Sequence, residues 1–82
     1  MDRKILLVED EALIALSESQ QLKKHGFDVD VAHTGEKALE AVASANDISL
    51  VLMDIDLGSG IDGTETARRI LQIRELPIIF LT

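Results

Sequence analysis

The chain has no cysteine, no tryptophan and no tyrosine, with one proline and two phenylalanines in 82 residues. Without cysteine there is neither a disulfide framework nor a zinc–thiolate site, which fits a reducing compartment. Cations are scarce too: 8 Lys and Arg stand against 15 Asp and Glu, a formal charge of −7. That balance, with aromatics at 2%, argues against nucleic-acid binding, which needs cations for phosphates and usually aromatic rings for stacking. Long apolar stretches are also missing. The longest uninterrupted run, residues 12–16, falls far below the roughly 18 residues of a membrane span. Glu9, Asp10 and Glu11 cut the run that follows Arg3 and Lys4 too short for a signal peptide. A soluble, cytoplasmic protein without a membrane partner is expected.

What is present is apolar material in ordered blocks. At 46% of the chain it is enough to drive collapse and too much for disorder. Lys4–Val8 reads as a strand, continuously apolar from Ile5 onward. Residues 11–25 have helical period, with Ala12, Ala15, Leu16 and Leu22 assigned to one face and Gly26 as the stop signal. Residues 27–32 alternate, with Phe27, Val29 and Val31 opposite Asp28 and Asp30. Thr34 is a plausible N-cap for a helix with Ala38, Ala41, Val42 and Ala45 at i, i+3, i+4 and i+7. Asn46-Asp47 turns the chain into a third strand, residues 48–53. A glycine-rich loop, residues 54–63, leads to a third helix expected to bury Ala67, Ile70 and Leu71. Pro77 ends that helix, and residues 78–82 form a fourth strand.

The order βαβαβαβ is the pattern of a doubly wound parallel sheet covered by helices. Strands at 5–8, 50–53 and 78–81 are continuously apolar, as interior strands are, whereas Asp28 and Asp30 mark the second as an edge. Right-handed crossovers then favour the strand order 2-1-3-4. In that order the fourth strand is also an edge, although Ile78-Ile79-Phe80-Leu81 has an interior composition. An apolar edge invites association. The expectation is therefore a truncated domain whose fifth strand and flanking helices belong beyond Thr82. Self-association or disorder is expected along the fourth strand.

In open α/β sheets, ligands bind at the carboxyl ends of the strands where strand order reverses. Strand 1 runs into Glu9-Asp10-Glu11 and strand 3 into Asp54-Ile55-Asp56, so two acidic clusters meet in one crevice. Packed carboxylates repel and raise a pKa unless a cation compensates. Mg²⁺ suits such a site, since it takes one or two carboxylates and keeps its waters. A carboxylate beside a metal is also a competent nucleophile toward a phosphoryl group. Thr82 would bring a hydroxyl to the same rim.

Ile5-Leu6-Leu7-Val8-Glu9-Asp10-Glu11, Leu52-Met53-Asp54-Ile55-Asp56, Asp62-Gly63 and the closing Pro77-Ile78-Ile79-Phe80-Leu81-Thr82 together resemble a response-regulator receiver domain of two-component signalling. The resemblance spans all 82 residues, and the 44-residue separation of Asp10 and Asp54 suits it. It implies a flavodoxin-like fold and a phosphoacceptor module rather than a turnover enzyme. Asp54 would take a phosphoryl group from the phosphohistidine of a histidine kinase or histidine phosphotransfer domain, and the switch would control an attached output or kinase domain. Glu9 and Asp10 would hold Mg²⁺, Asp10 directly and Glu9 through water. Asp54 would touch the metal, Asp56 would offer its backbone carbonyl, and Thr82 would be the switch hydroxyl. The exposed side of residues 11–25 would be a kinase interface. The chain departs from the family pattern at Gly58, where proline is usual, and in a loop one residue longer. The family's lysine at the end of a fifth strand has no counterpart in these 82 residues.

Other readings of the same residues stand beside this one. Glu9, Asp10 and Glu11 also serve as acids at a helix start, and Asp54 and Asp56 as solvated loop acids. Gly58, Gly60 and Gly63 meet turn requirements, while His25, His33, Arg68 and Arg69 read as surface residues. Residues 54–65, from Asp54 to Glu65, place acids at positions 1, 3, 9 and 12 of an EF-hand-like calcium loop. Position 6 is Ser59 where such a loop needs glycine, and a strand precedes it. An aspartyl-nucleophile phosphatase and a receiver-like structural or dimerising module without phosphorylation are the remaining alternatives.

Overall fold

A computed structural model describes residues 4–81. In chain order the elements are β1 (Lys4–Val8), α1 (Ala12–Lys24), β2 (Asp28–Ala32), α2 (Gly35–Ser44), β3 (Ile48–Asp54), α3 (Gly63–Ile73) and β4 (Ile78–Leu81). The four strands form one parallel sheet in the order β2-β1-β3-β4. This is the expected α/β order, with β2 and β4 at its edges. Thr82, predicted to finish the fourth strand and to carry the switch hydroxyl, lies outside the described residues.

β1 lies inside the sheet between β2 and β3, and it has no polar residue between Ile5 and Val8. All four of these side chains are at most 2% exposed. The pleat divides them. Leu6 and Val8 join Val51, Met53, Ala38, Val42 and Ile70 in the core beneath α2 and α3. Leu7 faces the other way, where it shares a groove with Leu22 of α1, Leu52 and Leu81. Two helices thus cover one face and α1 alone the other, among the described residues.

The helices follow local signals. Thr34 caps α2, its hydroxyl accepting from the Lys37 N–H at 3.0 Å. Asp62 caps α3 in the same way, accepting from the Glu65 N–H at 2.8 Å. α3 stops at Ile73, four residues before Pro77, because the chain turns extended at Arg74. Arg74 then donates to the carbonyls of Ala45, Asn46 and Ile48, tying the helix exit to the start of β3.

Two helix faces differ from the sequence expectation. On α1 the face turned to the sheet is Ala15, Glu18, Ser19 and Leu22, so Ala12 and Leu16 are exposed. The period is helical, but a small polar residue takes the inner position: the Ser19 hydroxyl bonds the Leu16 carbonyl at 3.0 Å and is satisfied without water. On α3 the buried stripe is Gly63, Thr66, Ala67 and Ile70, and Leu71 is 52% exposed. Thr66 hides its hydroxyl by donating to the Asp62 carbonyl at 2.7 Å. In both cases an internal hydrogen bond lets a polar side chain displace an apolar one from the core.

The contrast on α3 is testable. Ile70→Ala removes a fully buried side chain and is expected to cost about 2–5 kcal/mol, whereas Leu71→Ala changes stability by at most about 0.5 kcal/mol. Chemical denaturation of the two variants measures both.

Candidate functional site

β1 and β3 deliver their last side chains to the same end of the sheet. A register shift after Lys4 leaves Ser49 unpaired, and from Ile5 opposite Leu50 the ladder runs to Val8 opposite Met53. The next residues along the two strands are Glu9 and Asp54. Glu9 is only 6% exposed, Asp54 is half-buried and Asp10 is exposed. One carboxylate oxygen from each of the three lies within 4.8 Å of the others.

Glu9 is held firmly. Its N–H donates to the Ala32 carbonyl at 3.0 Å, and its carbonyl accepts from the His33 ring at 2.9 Å in the tautomer protonated at Nδ1. Its side-chain Oε2 accepts from the Glu11 N–H at 3.1 Å. Burial is the first cause that lifts its pKa from 4.5 to about 6; the Glu11 N–H opposes the shift, and the charges of Asp54 and Asp10 add to it.

Among the described residues, the cations that form ion pairs do so elsewhere. Lys4 pairs with Asp30 and Asp47 at the opposite end of the sheet, Lys37 with Glu40, and Arg68 and Arg69 with Glu65. Among the described residues no ion pair reaches Glu9, Asp10 or Asp54. Three hard oxygen donors at one corner, without a neutralising side chain, fit a hard divalent cation.

The loop between β3 and α3 closes over this corner. Leu57 is 2% exposed and anchors it in the core. Gly58 and Gly60 have φ of +75° and +82°, the left-handed region where glycine is unstrained. Gly58 also stands against the site, since a Cβ there would lie 3.1 Å from Asp10 Oδ2. Gly63 is required for proximity instead: its N–H bonds the Ile55 carbonyl at 2.9 Å, and a Cβ would overlap the Asp54 carbonyl oxygen. Asp56 is exposed, and its Oδ1 accepts from the Gly58 N–H at 3.1 Å. That carboxylate is therefore turned into its own loop and is not one of the three.

The calcium-loop alternative is corrected here. Glu65 is bonded by Arg68 and Arg69, which hold its pKa down at about 2, and Asp62 is used as a helix cap. The oxygens of residues 54–65 are thus committed separately and do not converge. The sequence reading missed two further contacts, both tertiary: His33 to the Glu9 carbonyl and Glu36 to the loop at Ile61. Only the Asp62 cap had a legible signal, an acid three residues before Glu65 at a helix start.

A family model described as the response regulator receiver domain matches residues 5–82. The N-terminal domain of a response regulator/sensory box/GGDEF three-domain protein from Carboxydothermus hydrogenoformans is 49% identical, with a TM-score of 0.94 over 98% of this chain and 64% of that one. A CheY-like receiver domain protein from Methanospirillum hungatei JF-1 is 28% identical, with a TM-score of 0.91 over 98% and 63%. A chain in the complex of the histidine kinase ThkA with the response regulator protein TrrA is 37% identical, with a TM-score of 0.89 over 98% and 68%. The chain belongs to the response regulator receiver domain family. It spans less than two thirds of the length of the first two of these relatives. Its fold is the flavodoxin-like one that the resemblance implied, and no helix among the described residues is long and apolar enough to cross a membrane.

The raised Glu9 pKa carries a pH signature. The folded state holds this proton more tightly than the unfolded chain, so the stabilisation is full below about pH 4.5 and is lost as pH rises through about 6. In metal-free buffer Glu9→Gln is expected to exceed wild type by on the order of 1–2 kcal/mol at pH 7.5. The gap should close toward pH 4.5, as urea titrations across that range will show.

Proposed function

We propose that this receiver domain is a phosphoacceptor that takes a phosphoryl group onto Asp54 from a phosphohistidine, with Mg²⁺ at the acid group. The observation that carries the reading is the convergence of Glu9, Asp10 and Asp54 within 4.8 Å, with no ion pair to them among the described residues. In the transfer an Asp54 carboxylate oxygen forms the new O–P bond as the P–N bond of the phosphohistidine breaks. The electron pair of that bond leaves with the imidazole, which takes up a proton from solvent. Bound Mg²⁺ supplies charge neutralisation for the carboxylates and the phosphoryl oxygens.

Asp10 and Asp54 are assigned as metal ligands through their carboxylates, Glu9 through water, and Asp56 through its backbone carbonyl. Thr82 is assigned the switch hydroxyl that hydrogen-bonds a phosphoryl oxygen. The chain's own residues do three things: Glu9 and Asp10 hold the cation, Asp54 attacks, and Gly58 leaves open space beside Asp10. Gly58, where the family usually has proline, bears no side chain that would cover that carboxylate.

The donor is a histidine kinase or histidine phosphotransfer domain, a reading supported by the matched complex of a kinase with its response regulator. A covalently attached output or kinase domain would receive the switch, as the three-domain relative suggests. The domain acts as a signalling component of the cytoplasm and not as a turnover enzyme. Incubating the protein with acetyl phosphate and Mg²⁺ is expected to give an acid-stable, base-labile adduct at Asp54 by mass spectrometry. Asp54→Asn should give none, and an unlabelled wild type would refute the reading.

At β4, Ile79 is 52% and Phe80 40% exposed along a strand edge without a partner among the described residues. The chain as it stands is expected to self-associate through this edge, seen as concentration-dependent sedimentation. A monomer with slow amide exchange along β4 would contradict this.

A further inference from the structure

The loop from Asp54 to Gly63 has two ends of different character. Its first half is anchored by Leu57 in the core and touches the acids where Gly58 faces Asp10. Its second half, Ser59 to Ile61, is gripped from α2. The Ile61 N–H donates to Glu36 Oε2 at 3.2 Å. The same carboxylate lies against Gly60, where a Cβ would come within 2.8 Å of Oε1. Beside it Ile61 packs on Gly35, whose missing side chain makes room: a Cβ there would stand 2.6 Å from Ile61 Cγ1. The first turn of α2, capped by Thr34, is therefore a fixed platform, and Glu36 is its reach onto the loop.

We propose that Glu36 is a positioning residue for the candidate site: by clamping the Gly60–Ile61 peptide it sets the path of the loop and hence the place of Gly58 beside Asp10. The clamp stands on the contacts alone, while its effect on reactivity rests on the reading of Asp54 as phosphoacceptor. A simpler role competes with it. Glu36 is also the acid in the first turn of α2, where any negative charge favours the helix dipole. The two roles separate chemically, because Glu36→Gln keeps an acceptor oxygen at the same reach and loses the charge, whereas Glu36→Ala loses both.

The experiment compares wild type, Glu36→Ala, Glu36→Gln and Gly60→Ala in the full-length protein by two readouts. The first is hydrogen exchange at the Ile61 amide. The second is the rate of Asp54 labelling by acetyl phosphate with Mg²⁺. Glu36→Ala is expected to speed exchange and slow labelling by about three- to fivefold, the scale of one exposed hydrogen bond. Glu36→Gln should stay within about twofold of wild type, and Gly60→Ala should follow Glu36→Ala because its Cβ crowds the carboxylate and strains a φ of +82°. Unchanged exchange and labelling in Glu36→Ala would overturn the proposal, as would Glu36→Gln behaving like Glu36→Ala. If wild type itself takes no label, the phosphoacceptor reading fails, and Ile61 exchange still decides the clamp.

Discussion

Between Lys4 and Ile5 the pairing of β1 with β3 slips by one residue, because Ser49 is left out of the ladder and bonds the Lys4 carbonyl through its hydroxyl at 3.1 Å. Side chains alternate along a strand, so a one-residue slip changes which face each of them meets. Without the slip, Glu9 would stand level with Met53, and the acid at the end of β3 would lie one residue beyond it. With the slip, Val8 opposes Met53 and the carboxylates of Glu9 and Asp54 come level on the same face. The core packing of Leu6, Val8, Val51 and Met53 and the acid group therefore depend on one irregularity at the far end of the sheet.

That arrangement opposes two demands. Folding buries the backbone of β1 and with it Glu9, while the site needs a charged carboxylate there. Among the described residues no basic side chain relieves the conflict, since each that forms an ion pair does so elsewhere. A cation that bound the folded state alone at this group would add its own binding free energy to the fold. Hydrogen bonds from Glu11 and His33 fix the geometry of Glu9 without neutralising it.

Much of this was legible in the residues. The alternation of apolar runs with helical periods carried the element order, and Asp28 and Asp30 marked β2 as an edge. The convergence of Glu9, Asp10 and Asp54 followed from strand order and from where the strands end. What escaped was of one kind. Ser19 and Thr66 are buried because each closes a hydrogen bond to its own helix, so hydrophobicity alone assigned Leu16 and Leu71 to their places. His33 and Glu36 meet partners 24 and 25 residues away, and no local spacing encodes contacts of that range. Asp56, expected to offer only its backbone carbonyl, has its carboxylate engaged within its own loop.

Leu57 gives the loop a thermodynamic character that its glycines conceal. A segment with three glycines within six residues would ordinarily sample many paths, but one of its members is 2% exposed and shared with the core. Lifting the loop means drawing that leucine into water, at a cost of about 1.5–3 kcal/mol. A lifted form that cost only this would be populated at about 0.6–8%. The half of the loop that stands beside Asp10 is therefore tethered through a side chain shared with the core, and its path is fixed by packing as well as by its turns.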